Sequence, residues 1–391
     1  MNKYDFINET DRTKVSSIKT NKKFIRKFFG LDYNEDTISL WVSEMDFKMS
    51  PNIQEALVNR INLGGLGYTT SSFAYFSSII NWFKNRYGAE IEKNWILYSH
   101  GTVPAIRTAI RLFTEPGDSI IIQPPVYGQF RSTIKDTGRK VVKNALINTV
   151  DGYDIDFIGF EELATKDETK MFILCNPHNP TGEVWSENDI KKLVNICEEN
   201  NVLVFADEVH AEIKRSDVVF TSTSKFGSEN VITANALSKG FNITGMHITH
   251  LIIKNDDLRK RYSDYNGFSS ISPLALEATI AAYTDAEEWL EEVSKVIDDN
   301  FKYMKKFIDT RIPKLKFTIP KGTYLAWLDF SNYNLGIQKI LEHLATDASL
   351  VLESGLMFGE EGSGFARMTI GTPLENLKEV LTRLELGLSK L

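Results

Sequence analysis

The chain has 391 residues, of which 42% are hydrophobic and 25% are charged, a composition that supports a large core in about two domains and excludes wholesale disorder. Its net charge of −7 argues against general binding of nucleic acid or of a membrane surface, because both require a basic face. The two cysteines, Cys175 and Cys197, are too few for a disulfide framework, and no segment has the apolar length of a membrane span or of a leader peptide. We therefore expect a cytoplasmic protein without membrane contact.

The first 50 residues are polar and mixed, and we predict that they form an N-terminal arm and part of a small domain. From about residue 52 to about residue 265, helix-like and strand-like runs alternate, which is typical of a doubly wound, mostly parallel sheet. We predict that residues 51–286 form a large cofactor-binding domain. The strand-like runs are almost continuously apolar, as expected where helices cover both faces of a sheet. Helices are predicted over 72–87, 103–113 and 188–200, and strands over 120–123, 171–175, 202–206, 231–236 and 248–253.

Residues 287–391 follow a different pattern, which predicts a smaller α+β domain at the C-terminus. A long helix is expected over about 287–309, with strands over 324–330, 349–352 and 365–370 and helices over 336–345 and 374–388. The predicted division is therefore 1–50, 51–286 and 287–391.

A candidate anion site lies where a short strand turns into a helix at Gly101, Thr102 and Val103. Free backbone N–H groups and the helix dipole favour a phosphate at such a helix start. The alternative is a plain strand-to-helix turn, which is the more common meaning of one isolated glycine motif.

Two further loops follow predicted strands. Tyr127 comes after a pair of prolines, and its ring could either stack on a flat ligand or pack in the core. Asn179 lies in a loop with two Asn-Pro pairs, whose rigidity suits an amide that must donate to a phenolate-type oxygen.

Asp207 and Arg367 are charged residues within apolar strands. Asp207 ends a buried run, where a carboxylate is costly unless it meets a cation such as a protonated ring nitrogen; the alternative is a helix N-cap. Arg367 in an apolar strand calls for a carboxylate, which is either that of a substrate or an internal Asp or Glu.

Lys239 follows the apolar run 231–236 and precedes a turn of small residues. A partly desolvated amine at such a place loses its proton more easily and can form a Schiff base with a carbonyl. Together, the phosphate seat, stacking ring, acid, amide and amine meet the needs of one ligand, pyridoxal 5′-phosphate.

At this point the chain resembles the fold-type I pyridoxal-phosphate enzymes of the aminotransferase class I/II superfamily, from about residue 35 onward. Within that superfamily it is most similar to the MalY/PatB group of cystathionine β-lyases and C–S lyases. The resemblance implies a seven-stranded type of large sheet beside a small α+β domain. The segments that carry it are 41–47 (WVSEMDF), 67–69 (GYT), 176–185 (NPHNPTGEVW), 207–210 (DEVH), 238–242 (SKGFN), 324–330 (YLAWLDF) and 358–365 (FGEEGSGF).

The resemblance also implies roles for individual residues. Lys239 would carry the cofactor and act as acid and base, Asp207 would pair with the pyridinium nitrogen, and Arg367 would grip the substrate α-carboxylate. The remaining implied contacts to the cofactor are Asn179 and His210 to the ring oxygen, Tyr127 and Val209 to the ring faces, Gly101, Thr102, Val103 and Ser238 to the phosphate, and Tyr68 to the phosphate of a neighbouring subunit. The last contact implies a homodimer with shared active sites.

Several residues depart from the pattern of the family. Ser43 and Glu44 stand where Ala-Asp is usual, Gly128 replaces an aromatic residue or proline, Gly240 replaces threonine, and His247 replaces a phosphate-binding arginine. The histidine at position 247 weakens the interpretation as an ordinary aminotransferase. The other changes leave the cofactor in place and open the question of the substrate side chain.

We predict a C–S β-lyase that cleaves an S-substituted L-cysteine to pyruvate, ammonia and a thiol. The alternatives are an aminotransferase and a family member with an added regulatory, protein-binding role. No metal site is predicted, because His247 and His250 have no acidic or cysteine partner at ligand spacing and packed histidines are the more common outcome.

Overall fold

A computed structural model describes residues 3–12, 14–30, 36–267 and 270–391. Fifteen strands are present in these residues: β1 Ile38–Ser39, β2 Ile96–Ser99, β3 Ser119–Ile122, β4 Lys140–Lys143, β5 Ile147–Thr149, β6 Gly152–Asp154, β7 Thr169–Cys175, β8 Leu203–Asp207, β9 Val231–Asn235, β10 Thr249–Ile253, β11 Lys316–Phe317, β12 Leu325–Asp329, β13 Leu350–Val351, β14 Glu353–Ser354 and β15 Phe365–Thr369.

Thirteen α-helices accompany the strands in the same ranges: α1 Lys22–Phe29, α2 Pro51–Asn62, α3 Phe73–Tyr87, α4 Thr102–Phe113, α5 Gly128–Asp136, α6 Phe157–Ala164, α7 Glu187–Glu199, α8 Leu237–Gly240, α9 Asp256–Asn266, α10 Pro273–Asp285, α11 Glu287–Arg311, α12 Ile337–Asp347 and α13 Leu374–Leu388. The helices and strands predicted from the apolar patterns are all present, with ends that differ by a few residues. The elements that were not predicted are the helices α1, α2, α5, α6, α8, α9 and α10 and the strands β1, β4, β5, β6, β11 and β14.

The large sheet has seven strands in the order β2-β10-β9-β8-β7-β3-β4. Strand β10 is antiparallel to both of its neighbours, and the other six strands run parallel to one another. The predicted fold class is therefore confirmed. The carboxyl ends of six strands meet at one edge, where ligands bind in sheets of this kind.

Alternating side chains of the central strands enter two separate hydrophobic clusters, one on each face of the sheet. Phe172 and Val204 pack on one side with α6 and α7, whereas Ile173 and Phe205 pack on the other with α4 and α5. Because helices cover both faces of the sheet, the central strands are apolar at most positions, which explains their nearly continuous apolar sequences.

The C-terminal part contains a four-stranded antiparallel sheet in the order β11-β12-β15-β14. Strand β1 from the N-terminal arm pairs in parallel with β13, through Ile38 with Leu350 and Ser39 with Val351. The arm is therefore joined to the C-terminal part through this strand pair, and the assignment of residues 1–50 to an arm and part of a small domain stays a prediction. The domain boundaries at residues 50 and 286 stay predictions. Across the described ranges, the helices all lack the combination of length and apolar character that crossing a bilayer requires.

Candidate active site

The loops at the carboxyl edge of the large sheet carry most of the predicted site residues. Gly101 follows β2, Tyr127 follows β3, Asn179 follows β7, Asp207 ends β8 and Lys239 follows β9. Arg367 reaches the same edge from β15 of the smaller sheet, where its guanidinium contacts Asn179. Residues that are far apart in the chain thus form one site because the parallel strands end together.

Lys239 lies in the short helix α8, and its Nζ donates a hydrogen bond to the backbone carbonyl of Ser43 at 2.8 Å. Burial lowers the pKa of this amine to about 8, and the positive charge of Arg367 adds to the effect, while Glu44 and Asp207 oppose it. An amine with a pKa near 8 has a usable unprotonated fraction at neutral pH, as a nucleophile or general base requires.

Packing against Glu212 explains why the residue after Lys239 is a glycine, Gly240. A Cβ at this position would lie 2.5 Å from Cβ of Glu212 and 2.7 Å from its Cγ. Glu212 is fixed because it accepts hydrogen bonds from Trp82 and Arg86. Glycine at 240 therefore reflects the space taken by Glu212 rather than a change in the chemistry of the lysine.

Asp207 is 4% exposed and accepts a hydrogen bond from the backbone N–H of Val209 at 3.2 Å. Burial raises the pKa of its carboxyl to about 7, against the opposing effects of the Val209 hydrogen bond and the charge of Lys239. The segment after Asp207 forms turns, so the helix-cap alternative is wrong. A buried carboxylate of this kind favours a cationic partner such as a protonated ring nitrogen.

Asn179 is oriented by Arg367, whose Nη1 donates to Oδ1 of the amide at 2.9 Å. An arginine can only donate, so the oxygen of the amide faces Arg367 and its NH₂ group is left to donate elsewhere. The backbone carbonyl of Asn179 accepts from the N–H of Tyr127 at 3.0 Å, which joins the two loops. This geometry suits the predicted donation of Asn179 to a ring oxygen.

His210 is buried, and its Nδ1 has no hydrogen-bond partner in the described part of the chain. Burial and the nearby charges of Lys239 and Arg367 hold the pKa of the imidazole well below its ordinary value, so the ring is neutral. Its ring centre lies 6.3 Å from that of Tyr324, whose hydroxyl donates to the backbone carbonyl of Ser43 at 3.1 Å. A buried polar atom without a partner calls for a ligand or a water molecule.

The candidate anion cradle is the N-terminus of α4. Gly101 precedes it with φ of 130°, a conformation that favours glycine, and the first turn of the helix carries no acidic residue. The hydroxyl of Thr102 lies 3.1 Å from that of Thr249, and the backbone carbonyl of Ser238 accepts from Thr244 at 3.2 Å. Val103 and Ser238 are both partly buried in this region. The free N–H groups suit a phosphate.

Tyr127 lies at the start of α5, and its ring packs edge-on against Phe130 at 5.7 Å. Burial raises the pKa of its hydroxyl, with smaller effects from the charges of Arg367 and Asp207. Val209 is partly buried beside Asp207. The stacking of a ring between Tyr127 and Val209 stays a prediction.

Gly128 also departs from the family for a steric reason. A Cβ there would lie 2.4 Å from the backbone carbonyl oxygen of Met357, so a larger residue would force the two segments apart. The close approach joins the loop after β3 to the C-terminal part of the chain.

Tyr68, His247 and His250 do not join the group of predicted site residues at the sheet edge. Tyr68 lies in the loop between α2 and α3 with 95% of its surface exposed, and the structure does not bring it into the group. His250 is packed in the interior, as predicted, and burial lowers its pKa to about 3. His247, in contrast, is exposed and has a positive φ of 49°, so its expected packing is wrong.

Two features of the site were missed from the sequence. Asn242 ties the N-terminal segment to the lysine loop, since its side chain donates to the carbonyls of Met45 and Phe47 and accepts from the N–H of Met45. Glu353 forms an ion pair with Arg367. A glutamate directly after the apolar run 350–352 was the available signal for a buried carboxylate.

The fold and this arrangement of lysine, aspartate and arginine define a fold-type I pyridoxal-phosphate-dependent transferase architecture. The chain belongs to the aminotransferase class I and II family, whose sequence model matches residues 35–384.

Three relatives are similar over nearly the whole length. Cystathionine beta-lyase PatB of Bacillus subtilis is 34% identical over 391 residues, which cover 98% of this chain and 100% of PatB. The crystal structure of cystalysin from Treponema denticola, which contains a pyridoxal 5′-phosphate cofactor, has a TM-score of 0.94, 31% identity and coverage of 99% of both chains. The PLP-bound C–S lyase from Staphylococcus hominis has a TM-score of 0.93, 31% identity and coverage of 98% of both chains.

The residues of this chain fit pyridoxal phosphate. Asp207 is a buried carboxylate suited to the ring nitrogen, and the NH₂ group of Asn179 is directed away from Arg367. Among the described residues, Nδ1 of His210 has no hydrogen-bond partner. The start of α4 offers an anion cradle, and the first turn of this helix carries no acidic residue.

Proposed function

We propose that the protein is a pyridoxal-phosphate-dependent C–S β-lyase that cleaves S-substituted L-cysteines such as cystathionine. The observation that carries the proposal is the meeting of Lys239, Asp207 and Arg367 at one edge of the sheet, in a chain similar over its full length to a cystathionine β-lyase. The similarity to two structures with bound pyridoxal phosphate, cystalysin and a C–S lyase, supports the cofactor and the reaction class.

Pyridoxal phosphate, when bound, supplies a carbonyl for an amine and a ring that accepts electrons. With the cofactor bound, Asp207 would hold the proton at the ring nitrogen, and Asn179 and His210 would donate to the ring oxygen. The backbone N–H groups at the start of α4, together with Ser238, bind the phosphate. Lys239, with its pKa lowered to about 8, holds the cofactor and moves protons.

In the proposed reaction, Arg367 binds the α-carboxylate of the substrate and fixes its orientation. Lys239 takes the proton from Cα, the electron pair of the broken Cβ–S bond leaves with sulfur, and the thiolate takes up a proton. One water molecule is consumed, and the net products are pyruvate, ammonium and a thiol. Each step needs only substrate, water and groups at the site.

The test is incubation of the purified, cofactor-loaded protein with L-cystathionine, L-cystine and S-methyl-L-cysteine. We expect equal amounts of pyruvate and ammonium, and of a thiol or, from cystine, a persulfide. Absence of pyruvate from all three substrates, in protein that retains bound cofactor, would contradict the proposal.

An aminotransferase is the second candidate, favoured by the family to which the chain belongs. It uses the same lysine and arginine but exchanges an amino group and expels no leaving group. Incubation with L-alanine and 2-oxoglutarate distinguishes the two reactions, because amino transfer yields glutamate together with pyruvate. Sustained glutamate formation without thiol release from any cysteine conjugate would assign the protein to this class.

We also propose a cytoplasmic homodimer with shared active sites. Support comes from a patch of exposed apolar side chains around the end of α2 and the start of α3. Leu63 is 78% exposed and Phe73 is 85% exposed, and Tyr68 lies between them. Large exposed apolar patches mark interaction sites. A second copy of the chain that covers this patch would deliver Tyr68 to the anion cradle of its neighbour.

Mixed dimers test the shared site. Lys239→Ala and Tyr68→Phe subunits are each expected to give weakly active homodimers. After mixing through reversible dissociation, activity should rise above that of either parent, because a hybrid has one site with both residues intact. Sedimentation equilibrium gives the oligomeric state of each sample. A monomer, or a mixture no more active than its parents, would contradict the proposal.

A further inference from the structure

The arginine proposed to bind substrate already contacts an internal carboxylate. Glu353 in β14 lies opposite Arg367 in β15, in the register of the antiparallel pair. Nη2 of Arg367 forms an ion pair with Oε2 of Glu353, and the two side chains are only 5% and 15% exposed. Since little water reaches the pair, the attraction between the charges is weakly screened.

Nη2 of Arg367 has two partners, whereas Nε has no hydrogen-bond partner in the described part of the chain. Nη1 donates to Asn179 at 2.9 Å, and Nη2 donates to the backbone carbonyl of Trp41 at 2.8 Å in addition to facing Glu353. Both edges of a guanidinium that present two parallel N–H groups to a carboxylate include Nη2. A substrate carboxylate therefore reaches a bidentate position only when one partner leaves Nη2. Trp41 contributes backbone, so Glu353 is the group that can move.

We propose that Glu353 is a specificity-determining residue that competes with the substrate α-carboxylate for Arg367. Substrate binds when Glu353 withdraws from Nη2 or takes up a proton, because two carboxylates at one buried guanidinium repel each other. The proposal rests on the proposed function for the identity of the incoming carboxylate. The pairing of Glu353 with Arg367 is independent of it.

The competition has a definite pH dependence. Burial raises the pKa of Glu353 above its ordinary value, and the charge of Arg367 offsets this only in part. Tyr127 at the start of α5 interacts with both Glu353 and Arg367. The other titratable groups that face the pair interact with Arg367, and they are Lys239, His210 and Tyr324. From α12, the neutral Gln338 donates to Ser354 beside Glu353. A protonated Glu353 no longer competes, so carboxylate binding should weaken as pH rises and Glu353 ionises.

The test compares the cofactor-loaded wild type with Glu353→Gln, and uses Glu360→Gln as the matched control. Glu360 lies on the surface with its side chain 92% exposed, and it faces Lys143 rather than the site. The probes are L-alanine and L-alaninamide, titrated through the change in cofactor absorbance between pH 6 and pH 9, together with the KM for L-cystathionine.

We expect Glu353→Gln to bind L-alanine about tenfold more tightly than the wild type at pH 9, with a smaller gain in affinity at pH 6. The affinity for L-alaninamide should change little, and Glu360→Gln should match the wild type.

Weaker binding of L-alanine by Glu353→Gln would overturn the proposal, since it would show that Glu353 serves only to hold Arg367 in position. Equal binding at all pH values would overturn it as well. If Glu353→Gln fails to fold, Glu353→Asp replaces it, because the shorter carboxylate reaches Nη2 less well and should also tighten L-alanine binding. A wild-type protein that releases no pyruvate yet shows the alanine contrast would contradict the proposed function and support the role of Glu353.

Discussion

Replacement of Lys239 by alanine is expected to lower the rate of pyruvate release from cystathionine by roughly 10²- to 10⁴-fold, the usual contribution of a positioned acid–base group. Lys239 is the only amine among the groups described at this edge, and its Nζ lies in a partly buried place next to the carbonyl of Ser43. The variant should also lose the absorption band at about 420 nm that a lysine-bound cofactor gives. Turnover and absorbance spectra of the purified variant test both effects.

The matched control is Lys260→Ala, which removes a lysine from a surface ion pair on α9. This control should keep both the rate and the absorption band. Added methylamine should restore part of the activity of Lys239→Ala, because a small amine can enter the space left by the side chain. A Lys239→Ala protein that folds, binds cofactor and keeps more than a tenth of the activity would show that another group moves the proton.

The position of the site followed from the sequence because two local signals coincide with it. Continuous apolar runs located the central strands, and parallel strands must end at the same edge, so Asp207 and Lys239 had to approach each other. The residues alone predicted a donor role for Asn179 and a carboxylate partner for Arg367, and the family resemblance implied the cofactor and the substrate as their targets. The structure adds that these two side chains contact each other.

Glu353 could not be found in the same way. It lies in a strand of two residues, and its partner is set by the antiparallel register of β14 and β15 rather than by spacing along the chain. An internal ion pair had been one alternative for Arg367, with a substrate carboxylate as the other, and the structure shows that the first exists. Packing likewise explains why glycine stands at positions 240 and 128. A Cβ there would clash with Glu212 and Met357, which are distant in sequence.

Asp207 is expected to link the stability of the protein to its proposed function. Its carboxyl has a pKa of about 7 in the folded chain and an ordinary value of 3.8. Between these values the folded state holds a proton that the unfolded state has released, so the free energy of unfolding falls as pH rises across this window. Above pH 7 the ionised, buried carboxylate costs on the order of 2–4 kcal/mol in protein without cofactor.

Replacement of Asp207 by asparagine is therefore expected to act in opposite directions on stability and on activity. Without cofactor, the variant should exceed the wild type in free energy of unfolding by about 2–4 kcal/mol at pH 8, and the difference should vanish near pH 4, where both side chains are neutral. With cofactor, a neutral amide no longer holds a proton at the ring nitrogen, and the rate of pyruvate release should fall by about 10²-fold or more. Urea unfolding at several pH values and steady-state kinetics measure the two effects.

Asp167→Asn, on an exposed turn, makes the same chemical change outside the site and should alter neither quantity. A stability difference for Asp207→Asn that does not depend on pH would show that Asp207 does not titrate in the folded protein. Undiminished activity would show that the ring nitrogen needs no carboxylate. If both effects occur together, the buried charge of Asp207 is retained at a cost in stability because catalysis requires it.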